Sequence, residues 1–110
     1  MAKDIKILVY PTKDLDKSKA LLSKYLETEP YAESPYYVGF RPGGIEVGLD
    51  PNGPAVIAYT EVDDIEASLK SLADLGATVY QEPKDVGGGL QIAQVKDADG
   101  NILGLRQLPK

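Results

Sequence analysis

The chain repeats itself. Slid along itself by 50 residues, it lays Ile7 on Ile57, Asp14 on Asp64, Leu15 on Ile65, Asp16 on Glu66, Ser18 on Ser68 and Leu22 on Leu72. Further on the offset becomes 56: Gly44 falls on Gly100, Gly48 on Gly104 and Leu49 on Leu105. GIEVGL (44–49) and GNILGL (100–105) therefore share one cadence, and the six extra residues of the second copy belong to a loop around Gly87-Gly88-Gly89. In a chain of 110 residues, such a repeat restricts the fold to two copies of one supersecondary unit.

Each copy reads in the same order. Residues 4–10 (DIKILVY) and 55–61 (AVIAYTE) are rich in strand-forming side chains. A helix follows each. In the first copy Leu15, Leu21, Leu22, Tyr25 and Leu26 fall near helical spacing, with Asp14 as the N-cap. In the second, Asp63 and Glu66 resemble a capping box, Ile65, Leu69 and Leu72 form the apolar stripe, and Gly76 stands where a C-terminal cap belongs. Three short strands then follow each helix, near 29–32, 35–41 and 44–50, and near 77–82, 90–96 and 101–107. RPGG (41–44) and DADGN (97–101) read as hairpin turns. The predicted fold is α+β: two βαβββ modules, 1–50 and 55–110, joined by the Pro- and Gly-rich linker 51–54 within one domain.

A βαβββ sheet is covered by its own helix on one face, and two such sheets side by side curve into a cup with the helices outside. Strand alternation says which side chains line it. Ile45, Val47 and Leu49 form one face of their strand, so Glu46, Gly48 and Asp50 point the other way. Leu103 and Leu105 likewise oppose Ile102, Gly104 and Arg106. The repeated glycines thus fall at matching places on the floor. A glycine within a strand admits close approach of a ligand or a neighbouring element, or marks a bulge or bend. Ile7, Ile57, Tyr59, Glu46 and Arg106 are the candidate lining by alternation. With Val38 and Phe40 as the apolar set, Tyr37 joins them, and so does Gln94, whose strand register is ambiguous.

Composition narrows the chemistry. No cysteine and no histidine are present, which removes the thiolate, the commonest metal ligand and the commonest general base. A net charge of −5 argues against binding a nucleic-acid backbone. No run is long and apolar enough for a membrane span, and the N-terminus lacks signal-peptide character, so a cytoplasmic location is expected. GGG (87–89) lacks the strand-before, helix-after setting of a phosphate loop and reads as a mobile rim loop.

Three stretches, YPTKDLDKSKALLSKYL (10–26), YTEVDDIEASLKSLADLGATVYQEP (59–83) and VKDADGNILGLRQ (95–107), give the chain a likeness over nearly its whole length. It resembles the vicinal-oxygen-chelate superfamily of glyoxalases, extradiol dioxygenases, methylmalonyl-CoA epimerases and bleomycin resistance proteins. In length and compact plan it is most similar to the small bleomycin-resistance-like members. The last stretch carries Asp-Ala-Asp-Gly-Asn where the family usually has Asp-Pro-Asp-Gly-Asn. The resemblance implies a homodimer. Metal-dependent members take a His, Gln or Glu ligand from the first and last strand of each module. By register with the helix starts, those positions are Ile7, Gly48, Ile57 and Gly104 here, none of which has a side-chain donor. The resemblance with these departures implies a cup with neither metal nor cofactor. The functions this leaves are a small-molecule binding protein taking an antibiotic-like, aromatic or cationic ligand; a metal-free lyase or isomerase using carboxylate and tyrosine groups; and a protein-association module.

Overall fold

The computed structural model describes residues 3–109. They form β1 (Ile5–Pro11), α1 (Leu15–Leu26), β2 (Ala32–Ser34), β3 (Tyr37–Phe40), β4 (Glu46–Asp50), β5 (Ile57–Glu61), α2 (Ile65–Asp74), β6 (Thr78–Asp85), β7 (Gln91–Lys96) and β8 (Ile102–Gln107). This is the α+β, twice-βαβββ order expected from the repeat. The chain divides into two compact units, Lys6–Ala58 and Tyr59–Lys110 with the residues up to Ile5.

In the first unit β1 pairs parallel with β4, and β4 with β3 and β3 with β2 antiparallel. A parallel pair needs a crossover, and α1 together with β2 and β3 supplies it. Val38, Phe40, Val47 and Leu49 form the buried cluster, closed by Tyr10, Leu15, Leu22 and Leu26 from β1 and α1. Phe40 has no exposed surface, so its truncation to Ala would cost roughly 3–5 kcal/mol. In the second unit β7 pairs antiparallel with both β6 and β8. Its cluster is Val62, Ile65, Leu69, Ala93, Val95 and Leu105, with Leu72, Ala77 and Val79 packed against it. In each unit one sheet face is thus taken up by its helix, as alternation requires.

The repeat is visible at the level of single hydrogen bonds. Asp14 and Asp64, 50 residues apart, are the two N-caps, with backbone angles of −138°, 95° and −139°, 100°. Each carboxylate accepts at 3.1 Å from the backbone N–H three residues on, Lys17 in one case and Ala67 in the other. The expected capping box at Asp63 is therefore corrected by one residue. Asp64 holds the extended backbone a cap requires, and Glu66 falls within the first turn. The N–H of Ile65 also donates to Gln107 Oε1 at 2.8 Å, so the end of β8 supplies a second acceptor for the free donors of α2.

One strand starts later than expected. The strand expected near 29–32 lies at Ala32–Ser34, because Glu27 ends α1 in the left-handed conformation (φ 54°) and the chain unwinds through Pro30 first. Ser34 then closes the hairpin: its hydroxyl accepts from the N–H groups of Tyr36 and Tyr37 at 3.2 and 3.1 Å. The GGG segment is a closed turn between β6 and β7. Val86 N–H donates to Leu90 O at 2.9 Å, and Gly87, Gly88 and Gly89 all take positive φ (127°, 62°, 89°), where side chains are costly.

Candidate functional site

The sheet face turned away from α1 in the first unit carries a group of polar and aromatic side chains. Register places its members. Ile7 pairs with Glu46 and Val9 with Gly48 across the parallel ladder, and Gly48 pairs with Gly39 across the antiparallel one. Paired residues share a face, and Tyr37 and Arg41 follow the period of two around Gly39. The expected outward direction of Glu46, Gly48 and Tyr37 is therefore observed, and Ile7, Tyr37, Glu46 and Gly48 come together.

The opposed glycines Gly39 and Gly48 leave a shallow floor, and the ring of Tyr37 lies on it. A Cβ built on Gly48 would meet the Tyr37 hydroxyl and stand 2.6 and 2.7 Å from Cε1 and Cζ of that ring. One built on Gly39 would stand 2.9 Å from Tyr31 Cε1, 3.0 Å from Tyr37 Cε2 and 3.2 Å from Glu46 Oε2. The Tyr37 hydroxyl donates to Glu46 Oε2 at 2.6 Å. A hydrogen bond to a charged group contributes about 1.5–3 kcal/mol. The other oxygen, Oε1, faces Arg41 at 3.8 Å, beyond hydrogen-bonding distance, and the Arg41 guanidinium lies 3.9 Å over the Tyr31 ring. The Glu46 side chain is 10% exposed and that of Arg41 62%. Only the Arg41 side of this ion pair is exposed, and the 3.8 Å gap leaves it without a hydrogen bond; the exposed cation–π contact contributes about 0.5–1 kcal/mol.

The second unit repeats the device with other chemistry. Gln94 pairs with Gly104, and Ile92 with Arg106, which resolves the β7 register and puts Gln94 on the face expected of Gly104 and Arg106. The Tyr59 ring lies flat on Gly104: a Cβ there would stand 2.6 Å from Tyr59 Cε2 and 2.7 Å from Cγ. Gln94 Nε2 donates to the Tyr59 hydroxyl at 2.8 Å, and both residues are buried. The Arg106 Nε is buried without a hydrogen-bond partner among the described residues. Ile57, at the start of β5, is buried.

Each repeated glycine thus makes room for a tyrosine ring whose hydroxyl is held by a polar side chain, Glu46 in one unit and Gln94 in the other. Tyr31, Gly39 and Arg41 are members of the first group that the sequence reading missed, although positions 37, 39 and 41 already share strand parity.

No family model and no curated protein matches the sequence. Solved structures do. A glyoxalase/bleomycin resistance protein/dioxygenase superfamily member from Vibrio splendidus is similar over 96% of this chain and 98% of its own, at 20% identity and a TM-score of 0.73. A variant of the Streptomyces coelicolor methylmalonyl-CoA epimerase, solved with 2-nitronate-propionyl-CoA, matches over 97% and 95% at 17% identity, with a TM-score of 0.73. A hypothetical protein from Bacillus halodurans matches over 100% and 97% at 11% identity, with a TM-score of 0.81. The chain has the vicinal-oxygen-chelate fold.

The metal that many proteins of this fold carry does not fit the residues here. The four positions that the family resemblance implies for it are Ile7, Ile57, Gly48 and Gly104, and tyrosine rings cover both glycines. Among the described residues no group of three or more His, Cys, Asp or Glu side chains is placed to hold an ion. Among them, too, no helix is long and apolar enough to cross a membrane.

Proposed function

We propose that the protein is a metal-independent binding protein for a small aromatic or cationic molecule. The observation that carries this reading is the Glu46 carboxylate, largely buried, bonded to the Tyr37 hydroxyl and gathered with the Tyr31 and Tyr37 rings around Gly39 on the face that α1 leaves uncovered. A few placed polar groups among aromatic and apolar side chains are the usual make-up of a small-molecule site. Ile7 and Gly48 share that face with Glu46 and complete the proposed ligand-binding residues there. Taken by itself, the second unit offers Tyr59, Gln94, Gly104 and Arg106 as a further proposed ligand-binding group, and Ile57 of β5 is likewise a proposed ligand-binding residue. The same reading takes the protein as a cytoplasmic homodimer that needs no cofactor.

The test is a thermal-shift and titration screen of chelator-treated protein against small aromatic and cationic compounds. The reading expects saturable, one-to-one stabilisation that survives chelation and weakens in Glu46→Gln. No compound binding, or binding only on addition of a metal ion, overturns it.

The 2.6 Å hydrogen bond between Tyr37 and Glu46 favours a second reading, a metal-free lyase or isomerase, because it joins two groups able to exchange a proton. Turnover that is lost in Glu46→Gln while binding persists would select it over pure binding.

A further inference from the structure

Arg41 occupies a position that another cation could take. Its guanidinium covers the Tyr31 ring and faces Glu46 Oε1, while Oε2 is already engaged by Tyr37. The match is uneven: a carboxylate side chain 10% exposed has as its charged neighbour an arginine side chain 62% exposed, at 3.8 Å. Arg41 stands immediately after β3 at the start of the exposed turn 41–44. A planar cation entering from solvent could lie on Tyr31 and hydrogen-bond Oε1 directly, which Arg41 does not do.

We propose that Tyr31, Tyr37 and Glu46 form a recognition site for an organic cation of the amidinium or guanidinium class, with Arg41 as an internal occupant that the ligand displaces. Planarity matters, because a flat delocalised cation can stack on a ring and reach a carboxylate oxygen at the same time. Selectivity follows from the same geometry. A neutral analogue of equal shape keeps the stacking but leaves the carboxylate without a charge partner, and an anion is repelled by Glu46. This rests on the reading of the protein as a small-molecule binder and assigns the charge and shape of what it binds.

The experiment titrates benzamidinium, and separately neutral benzamide, into the wild-type chain and into Arg41→Ala, following backbone amide shifts of residues 31–48. Arg41 is largely in solvent, so its replacement leaves the fold in place, which a melting curve verifies. Removing the internal competitor should tighten benzamidinium binding about tenfold, the equivalent of about 1.4 kcal/mol. Benzamide should bind at least about tenfold more weakly than benzamidinium to Arg41→Ala, on the same conversion. Adding Glu46→Gln, which keeps an acceptor for the Tyr37 hydroxyl, should abolish the preference for the cation. Equal benzamidinium affinity in wild type and Arg41→Ala, or benzamide binding as well as benzamidinium, overturns the proposal. If only neutral aromatic compounds bind, the cation site fails and small-molecule binding stands; if nothing binds, both fail.

Discussion

Replacing Gly104 by alanine tests whether the Tyr59 ring is what the glycine accommodates. Gly104 does not have the positive φ of the turn glycines, so alanine can adopt its backbone, and in an open strand the change would stabilise by about 0.5–1 kcal/mol. The structure predicts the reverse. The new methyl would stand 2.7 Å from Tyr59 Cγ, the root of the ring, which cannot swing aside without moving β5. The ring is also buried, and its hydroxyl is held by Gln94 at 2.8 Å. Overpacking of this kind costs about 1–3 kcal/mol, and the upper half of that range is expected here. Tyr59→Val removes the ring but keeps a strand-forming side chain. In that background Gly104→Ala should be neutral or stabilising, giving a coupling of about 2–3 kcal/mol between the two positions. Urea denaturation followed by circular dichroism on the four chains of this cycle measures it. A Gly104→Ala chain within about 0.5 kcal/mol of wild type, or the same cost in both backgrounds, would refute the reasoning. Gly48→Ala should cost less. The atoms it meets belong to the hydroxyl end of Tyr37, which can move at the expense of its bond to Glu46.

Two further outcomes follow from single contacts. Gln107→Ala removes a partner of the first N–H of α2 and should cost about 1 kcal/mol in denaturant unfolding, with Gln107→Glu, which keeps an acceptor, recovering most of it. At the β7–β8 turn the Asp97 carboxyl titrates below its ordinary range, chiefly because the Asn101 side chain donates to it, helped by the backbone N–H groups of Asn101, Asp99 and Gly100. A depressed carboxyl contributes stability that is present above its unfolded value and lost as pH falls through its folded one. Asn101→Ala should therefore raise the Asp97 pKa in a carbon-detected NMR titration. An unchanged value would show that the backbone donors alone set it.

Much of the fold was legible because duplication writes the same constraint twice. Asp14 and Asp64 each precede an apolar helical stripe, and the offset between them fixes both helix starts even where a single reading chooses Asp63. Alternation alone set Val47, Leu49 and Leu105 on the buried face and Glu46, Gly48, Gly104 and Arg106 on the other, but it also set Leu103 beside Leu105, and Leu103 is exposed. Other features depend on contacts between strands distant in sequence. Nothing local to Gly104 announces that a tyrosine 45 residues earlier lies across it, since that follows from which strand neighbours β8. Likewise Arg41 read as the first residue of an RPGG turn, and its place over Tyr31 depends on how β2 and β3 pair. At Gly87–Gly89 composition shows glycine's freedom but not the hydrogen bond between Val86 and Leu90 that closes the turn.

In each unit a tyrosine ring, Tyr37 on Gly48 and Tyr59 on Gly104, lies where a metal ion would need a donor atom. Metal content tests this most directly. Protein purified without chelator, and again after incubation with manganese, iron, nickel and zinc salts and desalting, is analysed for bound metal. The account predicts far less than one ion per chain in every case. One ion per chain, released by Glu46→Gln or by substitution of Tyr37 or Tyr59, would contradict it.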